Sequence, residues 1–308
     1  MPDLILHHYP TSPFSEKIRL ILGYKQLAWK SVVIPRIMPK PDVVALTGGY
    51  RRTPLLQIGA DVYCDTALIC DVLEQVQPAP SLYAQGSKGA VRIVAQWADS
   101  TLFWASMGYS FSPPGAAFMF KDAAPEEAKA FAEDRAKMRA GGSRVAPADA
   151  TSAYRSYLRR IANMLQAQPF VLGPQPSLAD FSCYHALWFT RRIAPLAGIF
   201  DATPGIIAWM DRMAAFGHGS VEASDSDYAI AAAAQSTPAA VDNDAFQDDH
   251  GIPLGSKVSV TAESFGLEPT EGELVAAART RYTLRRSDAR AGTVHVHFPR
   301  IGFQLKQL

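Results

Sequence analysis

One short segment near the start of the chain combines a serine, a proline and the predicted beginning of a helix. Ser12 precedes Pro13 in TSPFS, where an apolar strand passes into positions of helical spacing. Serine is a common N-cap, and proline suits the first helical position. The free N–H groups and the helix dipole attract anions there. A thiolate, formed from a thiol with a pKa of roughly 8.5, would gain a hydrogen bond from Ser12. The alternative is that Ser12 only caps the helix.

Two further segments carry polar groups at the start of an element. Thr53 and Pro54 open the predicted strand TPLLQI, and a cis proline there would leave the Thr53 backbone free to bind an extended peptide. Asp65 and Thr66 immediately precede a predicted helix, so Thr66 can bind a carboxylate while Asp65 takes an ammonium group. Each again has a purely structural alternative. Together with Ser12, they match the thiol, extended middle and zwitterionic end of glutathione.

Four stretches resemble the cytosolic glutathione transferases of the bacterial type with a serine- or cysteine-like active site: HYPTSPFSEKIRLIL, RRTPLLQIG, DVYCDTALICDVLE and FVLGPQPSLADFSCY. They cover about residues 1–228. The resemblance implies that Ser12 activates the glutathione sulfur. Ser15 stands where glutaredoxin-like relatives carry a second cysteine, which argues against a disulfide reductase.

The same resemblance assigns the remaining glutathione-binding positions. It places Arg52 and Thr53 before the cis proline Pro54, and Asp65 and Thr66 where the family usually has Glu and Ser. The run TGGYRRTP departs from the family pattern. Arg52 is the first candidate to bind the glycine carboxylate, with Lys40 behind it.

The order of elements predicts how these residues are positioned. Apolar spacing gives strand, helix, strand, helix, strand, strand, helix, which is the thioredoxin-like order. The predicted organisation is a thioredoxin-like domain at 1–82, an all-helical domain at 86–228, a linker at 229–250 that starts with a short helix, and a small β-rich module at 251–308. The fold class is therefore α/β plus all-α with an added β module.

The helical domain contains candidates for an electrophile pocket. Trp104, Met107 and Phe111 belong to a stripe of large apolar residues that the resemblance places beside the cleft between the domains. Such stripes more often form ordinary core. Ser177 and Asp180 in SLAD match a capping box and are expected to be structural.

Metal and disulfide chemistry are not indicated. His295 and His297 alternate on one strand face, but no third ligand at suitable spacing accompanies them, so no metal is predicted. Cys64, Cys70 and Cys183 lack the spacing of a zinc site or a disulfide framework. They are interpreted as thiols in a reducing cytoplasm, with Cys64 buried.

Composition favours a globular protein, and its charge balance points to neither nucleic acid nor an anionic membrane as a partner. There are 30 Lys and Arg against 29 Asp and Glu, a net charge of +1, so no global field attracts nucleic acid or an anionic membrane. No apolar run is long enough to cross a membrane, and no export signal is visible at the N-terminus. A cytoplasmic location is therefore expected.

The leading functional hypothesis is glutathione transfer to an unidentified hydrophobic electrophile, with glutathione as co-substrate. Glutathione-dependent isomerisation or dehalogenation uses the same thiolate. A non-catalytic scaffold for binding or assembly stays open, because the β module extends beyond ordinary family members. The family resemblance implies a homodimer. The module is expected to pack on the helical domain, because its apolar strands need covering.

Overall fold

The computed structural model describes residues 2–83, 87–139, 145–241 and 248–308. The first part follows the predicted order: β1 (Leu4–His8), α1 (Pro13–Tyr24), β2 (Ala28–Val33), α2 (Pro41–Thr47), β3 (Leu55–Ile58), β4 (Asp61–Cys64) and α3 (Thr66–Val76). Strand β1 pairs in parallel with β2 and antiparallel with β3. The thioredoxin-like arrangement is therefore confirmed.

The next part is helical, as predicted. Its elements are α4 (Lys88–Trp97), a π-helical turn (Ala98–Leu102), α5 (Phe103–Ser110), α6 (Pro113–Met119), α7 (Pro125–Arg139), α8 (Pro147–Met164), α9 (Leu178–Arg191), a 3-10 helix (Ala194–Phe200) and α10 (Pro204–Ala214). Most of α9 is buried, and its start carries both hydrogen bonds of the capping box between Ser177 and Asp180.

A strand interrupts the region that was predicted to be helical up to residue 228. Strand β5 (Ser220–Ser224) pairs in parallel with β2, with Val221 opposite Trp29. It is held by backbone hydrogen bonds, and its side chains are largely exposed. Its sequence therefore has no apolar alternation that would predict a strand. Helix α11 (Ser226–Ala234) follows and begins the predicted linker, of which residues 242–247 lie outside the described residues.

The C-terminal part is β-rich, as predicted, but its strands do not pack on the helical domain: their apolar side chains share a cluster with α2 and α11 instead. They are β6 (Lys257–Ala262), β7 (Thr270–Ala277), β8 (Arg281–Asp288), β9 (Gly292–Pro299) and β10 (Phe303–Gln307). Strand β9 pairs in parallel with β4 and extends one ten-stranded sheet, ordered β10-β6-β7-β8-β9-β4-β3-β1-β2-β5. The open edge of β4 offers unpaired N–H and C=O groups. The backbone of β9 can form hydrogen bonds with these groups, which a helix surface does not provide.

One apolar cluster runs across the junction between β4 and β9. Leu55 and Val62 of the thioredoxin-like part share it with Leu284 and Val296 of the module. A second cluster fills the space between α1, α3 and the helical domain. Both parts of the sheet are therefore buried by common packing. No helix in the described ranges is long and apolar enough to span a membrane.

Candidate active site

The beginning of α1 has the geometry expected of an N-cap. Ser12 has extended backbone angles, and its hydroxyl oxygen accepts a hydrogen bond from the Ser15 N–H at 3.2 Å. The Ser12 side chain is buried, and its proton has no acceptor among the described residues. The Ser15 hydroxyl is buried there too, and none of the described residues forms a hydrogen bond with it. Ser12 thus caps the helix and still has one hydrogen-bond donor to offer.

The beginning of α3 lies next to α1. Asp65 has a φ of 74°, which is rare and strained for a residue other than glycine, and its carboxylate accepts from the Ala67 N–H at 2.9 Å. The hydroxyl of Thr66 accepts a hydrogen bond from Lys17 Nζ at 3.3 Å. This contact joins the second turn of α1 to the first residue of α3. Two helix N-termini, each with a positive dipole end, therefore lie close together.

A buried charge network supports this junction and was missed in the sequence. Lys17 Nζ lies 2.6 Å from Asp99 Oδ2, and His185 Nε2 lies 3.0 Å from Asp99 Oδ1. Lys17 is fully buried, while Asp99 belongs to the π-helical turn. The one signal in the sequence is that Lys17 falls on the apolar face of α1, beside Phe14 and Ile18.

The loop before β3 contains a second buried lysine. The Thr53–Pro54 peptide bond is cis. Lys40 Nζ donates to the Thr53 hydroxyl and to the Arg51 carbonyl, each at 3.2 Å. Burial, followed by the nearby Arg135 and Arg51, lowers the pKa of Lys40 to about 8. Since the described residues give Lys40 no ion pair, an anion at this place would be stabilised.

Arg52 reaches Asp65 but is also held by the β module. Its guanidinium lies 3.8 Å from the Asp65 carboxylate, and Nε donates to the Phe265 carbonyl at 2.5 Å. The guanidinium also sits 5.5 Å from the ring centre of Phe303. Arg52 Nη2 is buried with no partner in the described part of the chain. Arg52 therefore keeps one N–H-bearing nitrogen with which an anion could form a hydrogen bond.

The three residues predicted for the electrophile pocket have different surroundings. Met107 is buried in the core of the helical domain. Phe111 is 39% exposed and stacks with Phe131 and Phe189. Trp104 is 40% exposed and meets the Phe265 ring edge-on at 5.2 Å. Of the three, Trp104 is the one in contact with a residue that also binds Arg52.

Residues 263–268 of the module, here called the cleft loop, link the thioredoxin-like part to the helices. Besides the two Phe265 contacts, the Gly266 N–H donates to the Met138 carbonyl of α7 at 2.7 Å. Glu268 pairs with Arg51 at 2.7 Å, and Arg51 also pairs with Asp134 of α7. Gly266 has a φ of +63°, and an added Cβ would lie 3.0 Å from Met138 Cε, so glycine suits this close approach.

We predict that Phe265→Ala increases solvent access to Trp104, because the cleft-loop ring covers one edge of the indole. Acrylamide quenching of tryptophan fluorescence should become stronger in this variant. The added Trp104→Phe substitution should abolish the difference, and Phe118→Ala, which changes a ring beside Lys121, should have no effect. Unchanged quenching in Phe265→Ala would show that the ring does not shield Trp104.

The thioredoxin-like half followed by the helical half is the architecture of glutathione S-transferases. The family model of the glutathione S-transferase N-terminal domain matches residues 6–81, and that of the C-terminal domain matches residues 128–212. The chain therefore belongs to the glutathione S-transferase family, whose substrate is glutathione.

A GST-like protein from Pseudomonas syringae is 42% identical, with a TM-score of 0.79 and full coverage of both chains, so the match includes the β module. FtsZ-localized protein A of Caulobacter vibrioides is 25% identical over 182 residues, which is 58% of this chain and 72% of that protein. A glutathione S-transferase from Rhodospirillum rubrum shares the fold at 19% identity, with a TM-score of 0.51 over 68% of this chain and 87% of its own.

Proposed function

We propose that the protein is a glutathione transferase that holds the glutathione thiolate at the start of α1 and directs it at a hydrophobic electrophile. The observation that carries this proposal is the contact between Lys17 and Thr66, which brings the N-termini of α1 and α3 together. One N-terminus suits a thiolate and the other a carboxylate, and glutathione contains both groups.

The donors left unused around these helix ends support binding of the whole tripeptide. Ser12 can donate its hydroxyl proton to the sulfur, and Thr66 can bind the γ-glutamyl carboxylate while Asp65 takes the ammonium group. Arg52 was predicted for the glycine carboxylate, but its guanidinium lies 3.8 Å from Asp65, so in this proposal it stands beside the γ-glutamyl end. Lys40, next to Thr53, is then the candidate for the glycine carboxylate. The backbone of Thr53, beside Pro54, has no strand partner among the described residues and faces the extended middle of the peptide in this proposal.

The protein's own cysteines do not compete for the role of nucleophile. All three are buried, and burial raises the pKa of Cys70 to about 12 and that of Cys64 and Cys183 well above the ordinary range. A neutral, buried thiol is a poor nucleophile. The attacking sulfur would therefore come from the bound ligand.

The electrophile would lie between the sulfur and the cleft loop. Trp104 is the first candidate to line its pocket, and Met107 and Phe111 are the next candidates. Because Phe265 covers part of Trp104, a compact apolar substrate is favoured over an extended one. Isomerisation or dehalogenation would use the same thiolate with another electrophile. We further propose a cytoplasmic homodimer, as is usual in the family, and sedimentation at several protein concentrations tests the dimer.

We predict that Ser12→Ala lowers kcat/KM for conjugation of a chromogenic electrophile by roughly 10- to 150-fold, because one hydrogen bond to a charged group contributes about 1.5–3 kcal/mol. The pKa of bound glutathione, followed by thiolate absorbance, should rise at the same time. The matched control is Ser112→Ala: Ser112 also precedes a proline at a helix start but makes no cap hydrogen bond. If Ser12→Ala lost stability and kept its rate and thiol pKa, Ser12 would be a cap only.

A non-catalytic role in binding or assembly is the second candidate. It is favoured by the similarity to FtsZ-localized protein A, whose name says that it localises with another protein, FtsZ. The five added strands provide a surface on which a partner protein could bind in such a role. Retention on immobilised glutathione separates the two: a folded protein that is neither retained nor active would exclude the transferase and leave the assembly function.

A further inference from the structure

Three side chains that could bind a metal converge where the β module joins the thioredoxin-like part. Strands β4 and β9 place Asp61 directly opposite His295, with His297 two residues further along the same face. Asp61 Oδ1 lies 2.8 Å from His297 Nε2 and 3.7 Å from His295 Nδ1. One ligand atom from each residue lies within 4.8 Å of the others, and all three residues are buried.

Two neighbours hold these side chains in orientation. The Thr283 hydroxyl, on β8 opposite His297, lies 3.0 Å from His297 Nδ1, so Nε2 is directed at Asp61. A hydroxyl can donate or accept, so it supports His297 whether Nε2 carries a proton or offers its lone pair. The Ala239 N–H donates to Asp61 Oδ2 at 2.8 Å and leaves Oδ1 facing the histidines.

His295 is the member of the group whose bonding is incomplete. It is 9% exposed, and its Nδ1 has no hydrogen-bond partner within the described residues although it faces Asp61. A buried nitrogen without a partner is costly, and a cation between it and the carboxylate would satisfy it.

We propose that Asp61, His295 and His297 bind a divalent transition metal ion, with Zn²⁺ as the reference case. Two imidazoles and one carboxylate are ligands of that class, and three protein ligands leave one position for water. Bonds of about 2.0–2.1 Å place tetrahedral ligand atoms roughly 3.3 Å apart, so the present distances need only small side-chain adjustments. Asp61 lies 236 residues from His297 in the chain, so sequence spacing did not reveal it.

The site would brace the junction of β4 and β9, where three residue pairs connect the module to the rest of the sheet. None of its three residues belongs to the group proposed to bind glutathione, so it does not depend on glutathione chemistry. Binding should therefore stabilise the fold whether or not the protein is a transferase.

The test uses the full-length chain without a histidine tag, stripped with a chelator and titrated with Zn²⁺ in a calorimeter. We expect one ion per chain, and a rise in Tm of about 5 °C at a hundredfold excess over Kd. Co²⁺ should give the visible absorption of a low-symmetry site, and His295→Gln should remove that band. Affinity for Zn²⁺ should fall at least tenfold in His295→Gln.

His250→Gln is the matched control, because the exposed His250 forms a His–Asp pair with Asp248 at the end of the linker, just before the module. This variant should bind Zn²⁺ as the wild type does. His295 is the preferred target because His297 makes two hydrogen bonds, and circular dichroism checks that the variant is folded. The proposal is overturned if the wild type shows no saturable binding at one ion per chain, or if folded His295→Gln binds as tightly as the wild type.

Discussion

Lys17→Met is expected to lower the free energy of unfolding by about 3–5 kcal/mol, because it removes the cation from a buried ion pair and leaves the anion behind. Lys17 is fully buried and is 2.6 Å from Asp99, whose side chain is 20% exposed. Asp99 keeps its hydrogen bond with His185 and is partly open to solvent, so the loss should fall near the lower end of that range. Methionine fills similar space without introducing charge.

The pH dependence of this loss follows from Asp99. Burial acts to raise the pKa of Asp99, but Lys17 and His185 outweigh it and hold the pKa below its ordinary value. A carboxyl group with a depressed pKa in the folded state stabilises the fold above its unfolded pKa of about 3.9, and this contribution disappears as the pH falls through the folded value. The difference between wild type and Lys17→Met should therefore be full at pH 7 and shrink below about pH 4.

Denaturant unfolding at both pH values measures the effect. Lys129→Met is the control, because Lys129 forms an exposed pair with Glu133 and should change stability by less than about 0.5 kcal/mol. Adding Asp99→Asn to Lys17→Met should recover part of the loss. A Lys17→Met protein within about 1 kcal/mol of the wild type at pH 7 would contradict the importance of this pair.

Asp180→Ala should also lower the free energy of unfolding strongly, by about 4 kcal/mol. The buried Asp180 carboxylate accepts hydrogen bonds from the Val171 N–H at 2.7 Å, the Ser177 N–H and hydroxyl at 2.9 and 3.0 Å, and Trp209 Nε1 at 3.1 Å. Alanine leaves these buried donors without an acceptor, and each unsatisfied group costs about 1–3 kcal/mol. The helical domain would lose the connection between α9, α10 and the preceding loop.

Asp149→Ala is the matched control for Asp180→Ala. Asp149 occupies the same third helical position, in α8, but is exposed and has no capping partner at Ala146. Its loss should cost less than about 1 kcal/mol. Calorimetric or denaturant unfolding measures both variants, and kcat of folded Asp180→Ala should stay close to that of wild type. Equal, small losses in the two variants would remove the special role assigned to Asp180.

Local patterns in the sequence were sufficient for much of the fold. The order from β1 to α3, the cap at Ser12 and the capping box at Ser177 and Asp180 depend on residues within a few positions of one another. Strand β5 was missed, because its exposed residues carry no apolar alternation and its partner β2 is far away in the chain.

Several features of the candidate site depend on distant residues. Arg52 was predicted to face a ligand carboxylate, but no short-range pattern indicates that Phe265 and Phe303 of the module hold its guanidinium. Lys17 is similar: its position on an apolar helix face is visible in the sequence, whereas Asp99 and His185 become its neighbours only through packing.

The sequence alone determined the element order of the thioredoxin-like and helical parts, the added β-rich region and the polar residues at the starts of α1, β3 and α3, since caps and periodicity act over a few residues. Only the tertiary structure decided that the added strands continue the sheet at β4, that the cleft loop reaches Arg52 and Trp104, and that Asp61 meets His295 and His297. The physical reason is that an open strand edge binds any strand through its backbone. Which strand edge the module pairs with, and therefore which side chains come into contact there, is fixed by packing across the whole chain.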